Sequence, residues 1–456
     1  MYLFIKLYPF FLFLLFLSGC SSQSKIENFE ITEHSPENQY SYKNNLKNRG
    51  EVNLFVSFSG GGTRASAFSY GVLEVLRDTM ISTATGRNSL LSEVDVITAV
   101  SGGSFTAAYY GLYGDKIFDD YEEVFLKRNI QHVLISGILN PLNWMKFIGS
   151  GFNRSELAVN YYDKHIFDGK TFADFRSDMP FVQINATDLS AGQPFIFRQE
   201  YFDFLCSDLS QFPVSRAVAA SSAVPVAFAP IVLKNYHGCH ESESAGDAIK
   251  THYQDNTRTE QIKSGLFRYI EKDLVDYVHL VDGGVSDNLG VRVLYDTANI
   301  LSNIPEISDE AASNPPKYLV LLIVNAAVSP VKRMDKDPKE PAIFEQLSAA
   351  SAAQINRYNI ETIQLIKDSL QAWASKLSKT ADYEVKPFFI QIDFNGIQDK
   401  KRNRLLHTIS TSLALPAEQV VELRSVARIL LNKSPEFQRL ITELNAPSNT
   451  PILNDY

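Results

Sequence analysis

Short apolar runs recur along most of the chain, each followed by a stretch whose apolar positions fall at helical spacing. The runs cover residues 53–58, 94–100, 181–187, 277–281 and 318–324. Continuous apolar runs of this length, bounded by turn residues, suit strands buried on both faces. Residues 65–79 and 104–112 carry helical patterns between them, and 345–377 carry a much longer one. Residues 387–393 (PFFIQID) read as a late strand, and 416–444 as a C-terminal helix. Strands alternating with helices predict an α/β fold with a largely parallel central sheet covered on both faces.

Both ends of this pattern are bounded by different textures. Residues 1–17 hold one charge, Lys6, and the apolar run 10–17 is too short to span a bilayer. A basic start before an apolar core reads as a secretory signal. The run Leu17-Ser18-Gly19-Cys20 that follows resembles a bacterial lipobox, which makes Cys20 the expected lipidation site and residues 1–19 a lipoprotein signal peptide. Several acyl chains there would anchor stably, since one chain binds marginally. By the same resemblance, Ser21 in place of an inner-membrane retention aspartate favours the outer membrane of a bacterial envelope, where the host has one. Residues 20–50 are polar and read as a tether, and residues 51–456 as one elaborated domain. Residues 241–263 form a polar insertion. Residues 133–152 are apolar with one charge, Lys146, and suit either core or a lid or membrane-contacting surface.

Charge and cysteines narrow the function. The formal net charge is −9, and loss of Lys6 with the signal makes it −10. A net acidic chain without a basic block is no nucleic-acid binder. Cys206 and Cys239 lie in an exported context, where they can pair or remain thiols. No CxxC, His/Cys cluster or acidic calcium loop implies a metal, and no motif implies a cofactor.

Three segments carry candidate chemistry. Gly60, Gly61 and Gly62 follow an apolar strand and precede a helix. Such a loop can turn main-chain N–H groups toward negative charge at a helix N-terminus, or can be a plain tight turn. It lacks both the Lys of a phosphate loop and GxGxxG spacing. Next, an apolar strand runs into Ser101-Gly102-Gly103-Ser104. This is the strand–turn–helix setting of a nucleophile elbow, with Ala99 where glycine is usual. Ser101 reads as a nucleophile or as a helix N-cap, and Ser104 competes with it. Third, an apolar strand ends at Asp282-Gly283-Gly284. Asp282 can satisfy local turn donors or act as a general base. His407, the only later histidine, lies in a basic helical stretch away from any elbow and is given no catalytic role. Asp287, Asn288 and Arg216 read as structural.

Together SGGGTRA (59–65), VSGGS (100–104) and DGGVSDN (282–288) resemble the patatin-like phospholipase family in order and spacing. Residues 153–175, Asn185-Ala186-Thr187-Asp188 and 215–231 are also similar to patatin-family segments, so the resemblance covers roughly 52–326, with 330–456 a helical C-terminal elaboration. It implies a three-layer α/β/α fold and a Ser–Asp dyad lipid acyl hydrolase, a phospholipase or lysophospholipase. Ser101 would be the nucleophile, Asp282 the base, and Gly60, Gly61 and Gly62 the oxyanion-hole donors. Arg64 resembles an arginine that faces the substrate phosphate in cytosolic phospholipases of the same superfold. The expected partner is membrane lipid. Acyl transfer on the same dyad, and a non-catalytic envelope lipoprotein, are the competing functions.

Overall fold

The computed structural model describes residues 24–31, 40–41, 50–83, 86–140, 142–143, 152–237, 239, 257–301, 314–329 and 333–446. Cys20, with the signal peptide, lies outside the described residues, as do parts of the 20–50, 133–152 and 241–263 segments.

The apolar runs form a mixed eight-stranded sheet: β1 (Val52–Phe58), β2 (Val94–Val100), β3 (Phe181–Asp188), β4 (Gln193–Phe197), β5 (Ile231–Lys234), β6 (Tyr277–Asp282), β7 (Tyr318–Asn325) and β8 (Lys386–Asp393). The order is β8-β7-β1-β2-β3-β6-β5, with β4 also paired to β3. The five strands from β8 to β3 are parallel, and β4, β5 and β6 join in antiparallel pairs.

Successive side chains of a strand face opposite sides, so each parallel strand supplies two cores. On one face Leu54, Val56, Phe58, Ile97, Ala99, Val320 and Leu322 pack in the larger cluster with helices α1 (Gly62–Asp78), α2 (Gly102–Tyr113) and α8 (Ala417–Lys433). On the other, Val96, Phe181, Leu319, Leu321 and Ile323 pack against Val291 and Leu294 of α6 (Val291–Leu301) and Ile366 and Leu370 of α7 (Ile343–Ser378). This is the three-layer α/β/α arrangement. Helix α5 (Val214–Ser221) packs on β3, β6 and α4 (Arg154–Tyr162), and α4 packs on α3 (Ile130–Leu139). The expected single helix over 416–444 is two, α8 and α9 (Pro435–Leu444). Ser434 caps the second by accepting the Phe437 N–H at 3.3 Å, and Pro435 opens its first turn, where a missing N–H costs nothing.

One feature of the sheet places the site. β3 uses residues 181–185 to pair with β2 in parallel and residues 186–188 to pair with β6 antiparallel. β4 pairs with residues 184–188. Its register overlaps both, so β2 and β6 share the other edge of β3. They therefore run toward each other. β2 ends with Val100 opposite Asn185, and β6 ends with Asp282 opposite Ala186.

The segment expected to be a polar tether is docked where it is described. Phe29–Glu30 pairs antiparallel with Ser207–Asp208. Buried Asn28 donates to the Ser207 hydroxyl and Lys234 C=O and accepts the Lys234 N–H. The Tyr40 hydroxyl bonds both Val182 main-chain groups, covering the edge of β3 before β4 begins. Polar composition conceals this docking because the partners are polar too. Cys206 and Cys239 form a disulfide beside it, and the Ile31 N–H donates to the Cys206 C=O.

Candidate active site

The chain leaves β2 through Ser101 at φ 49°, ψ −120°, a strained backbone for a residue with a side chain, and enters α2 at Gly102. Glycine is required there, because a Cβ on Gly102 would collide with the Gly62 carbonyl. Ala99 has no positive φ and is fully buried in the strand, so alanine serves where the elbow pattern usually has glycine. Ser101 occupies the N-cap position of α2 yet makes no capping bond. Its Oγ donates instead to Asp282 Oδ2 at 2.8 Å. Ser104 is fully buried and donates to the Ser101 C=O at 2.5 Å, so its hydroxyl is absorbed by the turn.

Asp282 is held from all sides. Its Oδ1 accepts the Gly284 N–H at 2.8 Å, its own N–H donates to Ala223 C=O, and its C=O accepts the Thr187 hydroxyl. Ser101 and Asp282 are 6% and 8% exposed. Burial pushes the Asp282 carboxyl up to about 6, against the smaller opposing pulls of the Gly284 N–H and the Ser101 hydroxyl. A carboxyl so placed is ionised at neutral pH and can take the proton of the hydroxyl it touches.

The glycine loop packs against this pair: a Cβ on Gly60 would stand 3.3 Å from Ser101 Cβ. Gly60 was expected to be an oxyanion donor, but its N–H is given to the Asn288 C=O at 3.0 Å. Gly61 and Gly62, both at positive φ (143° and 60°), stand at the start of α1, where N–H groups have no intrahelical acceptor. They remain the donors this loop can offer to developing negative charge.

Arg64 was expected to face a substrate phosphate. It is buried and committed elsewhere: Nε donates to the Ala326 C=O at 2.9 Å and Nη1 to the Ile409 C=O at 2.7 Å. These bonds tie the start of α1 to the ends of β7 and of the helix Lys400–Thr408. Desolvation lowers its pKa to about 10, which still leaves it charged at neutral pH.

Asp287 accepts the N–H groups of Gly290, Arg292 and Val293, shaping the turn after Asp282. Arg216 binds Glu156 through two bonds of 2.9 and 2.7 Å, and Glu27 at 2.6 Å. Both are structural, as expected. His407 accepts the Ser329 N–H at its Nδ1. His279 is exposed. Two side chains given no role from sequence also meet the site. Asn185 Nδ2 donates to Thr98 Oγ1 and the Ala99 C=O, and the Ser221 hydroxyl accepts the Ser101 N–H. Asn185, an amide inside a fully buried strand, carried a signal; Ser221, in an Ala/Ser-rich helix, carried none.

A serine at a strained strand turn, a carboxylate at hydrogen-bond distance and a glycine loop on one α/β/α sheet are the arrangement of a hydrolase fold. The chain belongs to the patatin-like phospholipase family: the family model described as Patatin-like phospholipase matches residues 56–295, more than half of its length. Among solved structures it is similar to human GIVD cytosolic phospholipase A2, at 12% identity and a TM-score of 0.42, over 86% of this chain and 62% of that one. It is also similar to VipD from Legionella pneumophila, at 13% identity and a TM-score of 0.27, over 90% of this chain and 71% of that one. A third similarity is to full-length ExoU with SpcU from the type III secretion system of Pseudomonas aeruginosa, at 16% identity and a TM-score of 0.23, over 65% and 68%. The chain thus spans less than two thirds of the human phospholipase. A search of curated protein sequences finds no match.

Proposed function

We propose that this protein hydrolyses ester bonds of membrane lipids, as a phospholipase or lysophospholipase, through a Ser101–Asp282 dyad and an acyl-enzyme. The observation that carries the reading is the 2.8 Å bond between Ser101 Oγ and Asp282 Oδ2 at the junction of two strand ends. Asp282 takes the Ser101 proton as Oγ attacks the ester carbonyl. The oxyanion forms against the Gly61 and Gly62 N–H groups, where one preorganised donor is typically worth ~2.7–4 kcal/mol. Collapse returns the proton to the leaving alcohol and leaves the acyl group on Ser101. Asp282 then deprotonates a water, whose attack releases the fatty acid and restores the serine.

A lipid substrate is supported by an apolar rim. Only Ile130 and Leu134 of α3 are buried; Val133, Ile135 and Leu139 are exposed, as is Leu142 beyond it. α3 packs through Gly137 on Leu157 of α4, and Arg154 and Ser155 of α4 hold the carbonyls of Val226 and Ala229. Exposed Val224 and Val226 lie in that loop, which begins beside the Ala223 carbonyl bonded to Asp282. Val226 holds φ at 73°, costly for a β-branched residue. We assign this rim to contact with the bilayer.

The envelope anchor belongs to the same proposal. Lipid on Cys20 would hold the protein at a bacterial membrane, the outer one by the identity of Ser21. The Cys206–Cys239 disulfide supports export to an oxidising compartment. A panel of phospholipids and lysophospholipids, with Ser101→Ala as control, tests the activity: released fatty acid from the wild type alone upholds it, and equal release from both overturns it. Intact-mass measurement of the mature protein tests the anchor; a mature chain starting elsewhere without lipid overturns it.

A further inference from the structure

The nucleophile's own amide sits where two structures end. β2 stops at Val100 and α2 starts at Gly102, so the Ser101 N–H belongs to neither ladder. It is buried and needs an acceptor. That acceptor is a side chain 120 residues away: the Ser101 N–H donates to Ser221 Oγ at 2.8 Å. The same hydroxyl donates to the Asn185 C=O of β3 at 2.7 Å. Ser221 Oγ is thus inserted between the elbow and the strand beside it. The Ser221 C=O accepts the Gly283 N–H at 3.1 Å, directly after Asp282. One fully buried residue therefore holds the main chain next to both members of the dyad.

Its helix is fixed at the other end. α5 begins at Val214, and Arg216 in its first turn is clamped by Glu156 and Glu27. Ser221 is the last residue of that helix. A short helix locked at its start thus presents one hydroxyl and one carbonyl to the two loops that must meet.

We infer that Ser221 is a positioning residue for the hydrolysis, holding Ser101 in its strained elbow and Gly283 in register so that Oγ and carboxylate stay within hydrogen-bond distance. The inference rests on Ser101 and Asp282 as the reacting pair. Without the hydroxyl, the Ser101 N–H and Asn185 C=O lose their shared partner, and the elbow relaxes. The nucleophile then shifts from its attack geometry, while the lipid-binding rim is untouched. A displacement of about 1 Å can cost about 10²-fold in rate.

The test compares Ser221→Ala with Ser222→Ala in the full-length protein. Ser222 is the next residue; its hydroxyl bonds the Val218 C=O of its own helix. Ser221→Ala should lower kcat about 10–100-fold with KM nearly unchanged. It should slow fluorophosphonate labelling of Ser101 in proportion. Ser222→Ala should leave kcat and labelling near wild type. Ser221→Cys, which keeps the volume but weakens the hydrogen bonds, should show a smaller kcat loss and serves if the alanine variant does not fold. Folded Ser221 variants with wild-type kcat and labelling overturn the inference, as does an equal kcat loss in Ser222→Ala. If Ser101→Ala retains hydrolysis, the dyad itself has failed. If Ser101→Ala is inactive and the Ser221 variants are normal, only the positioning role has.

Discussion

The N–H of Gly60 donates to the carbonyl of Asn288 at 3.0 Å, joining the glycine loop to the turn that follows Asp282. With Ser57 Oγ on the Leu289 carbonyl and Thr98 Oγ1 on the Gly290 carbonyl, the ends of β1 and β2 are both fastened to that turn. The segments carrying Ser101, Asp282 and the glycine loop therefore form one hydrogen-bonded unit. This connection commits the Gly60 N–H to the fold, so the proposed oxyanion contacts fall to Gly61 and Gly62.

The proposed dyad predicts a pH profile. Asp282 must be ionised to accept a proton, and its carboxyl is raised to about 6. Activity should fall with one-proton dependence as pH drops through about 6. Stability runs in the opposite direction for this group. A carboxyl raised in the folded state binds more protons folded than unfolded, so its contribution declines as pH rises between its ordinary value of 3.8 and about 6. Asp282→Asn should thus lose about 10²–10⁴-fold in kcat without losing thermal stability at neutral pH. An Asn variant of wild-type turnover would remove the carboxylate from the mechanism.

Neither late histidine should matter to turnover. His407 is engaged with Ser329, and His279 is exposed three residues before Asp282. His407→Ala and His279→Ala should keep kcat within about twofold, since surface changes away from special features are nearly neutral. The exposure of His279 also makes it a poor stability determinant. A loss equal to that of Asp282→Asn in either variant would demand a histidine-containing triad.

The apolar rim should govern lipid contact rather than chemistry. Leu139 and Val226 are 66% and 64% exposed. Leu139→Glu and Val226→Glu should weaken vesicle sedimentation and hydrolysis of bilayer lipid, while turnover of a soluble short-chain ester changes little. Equal loss on both substrates would place these residues in the reacting site instead.

The disulfide closes a loop with a sequence separation of 33 residues. Cys206→Ser with Cys239→Ser should cost about 2–4 kcal/mol, read as a lower urea midpoint. An unchanged midpoint would show that the N-terminal strand and Tyr236, which donates to the Leu205 carbonyl, hold this region without the crosslink.

The ends of β2 and β6 were legible because largely apolar runs stop at Ser101 and Asp282, each followed by glycine, although exposed Tyr277 and His279 show that β6 is not buried on both faces. Main-chain partners were not. Nothing in the identity of Asn288, Ala326 or Ile409 announces that its carbonyl will take a bond from Gly60 or Arg64. A charged residue in a glycine loop reads as a ligand group until those carbonyls are found. Ser221 and Ser222 are equivalent in sequence, and only helix phase aims one at the elbow. The 20–50 segment read as a tether because polarity is the signature of solvation, whereas Glu27, Asn28 and Tyr40 find buried partners.

The head-on approach of β2 and β6 along β3 would make the proposed activity a report on the assembly of these three strands. Ser101 and Asp282 are 181 residues apart in sequence, and nothing local brings them together. A slip of β6 by one residue along β3 would move the carboxylate by about 3.4 Å and turn it to the opposite face. Contacts of such long separation form late, after the entropy of closing the intervening loop has been met. The unfinished chain therefore carries Ser101 without Asp282 beside it, and the proposed dyad forms only when β6 pairs with β3 in register.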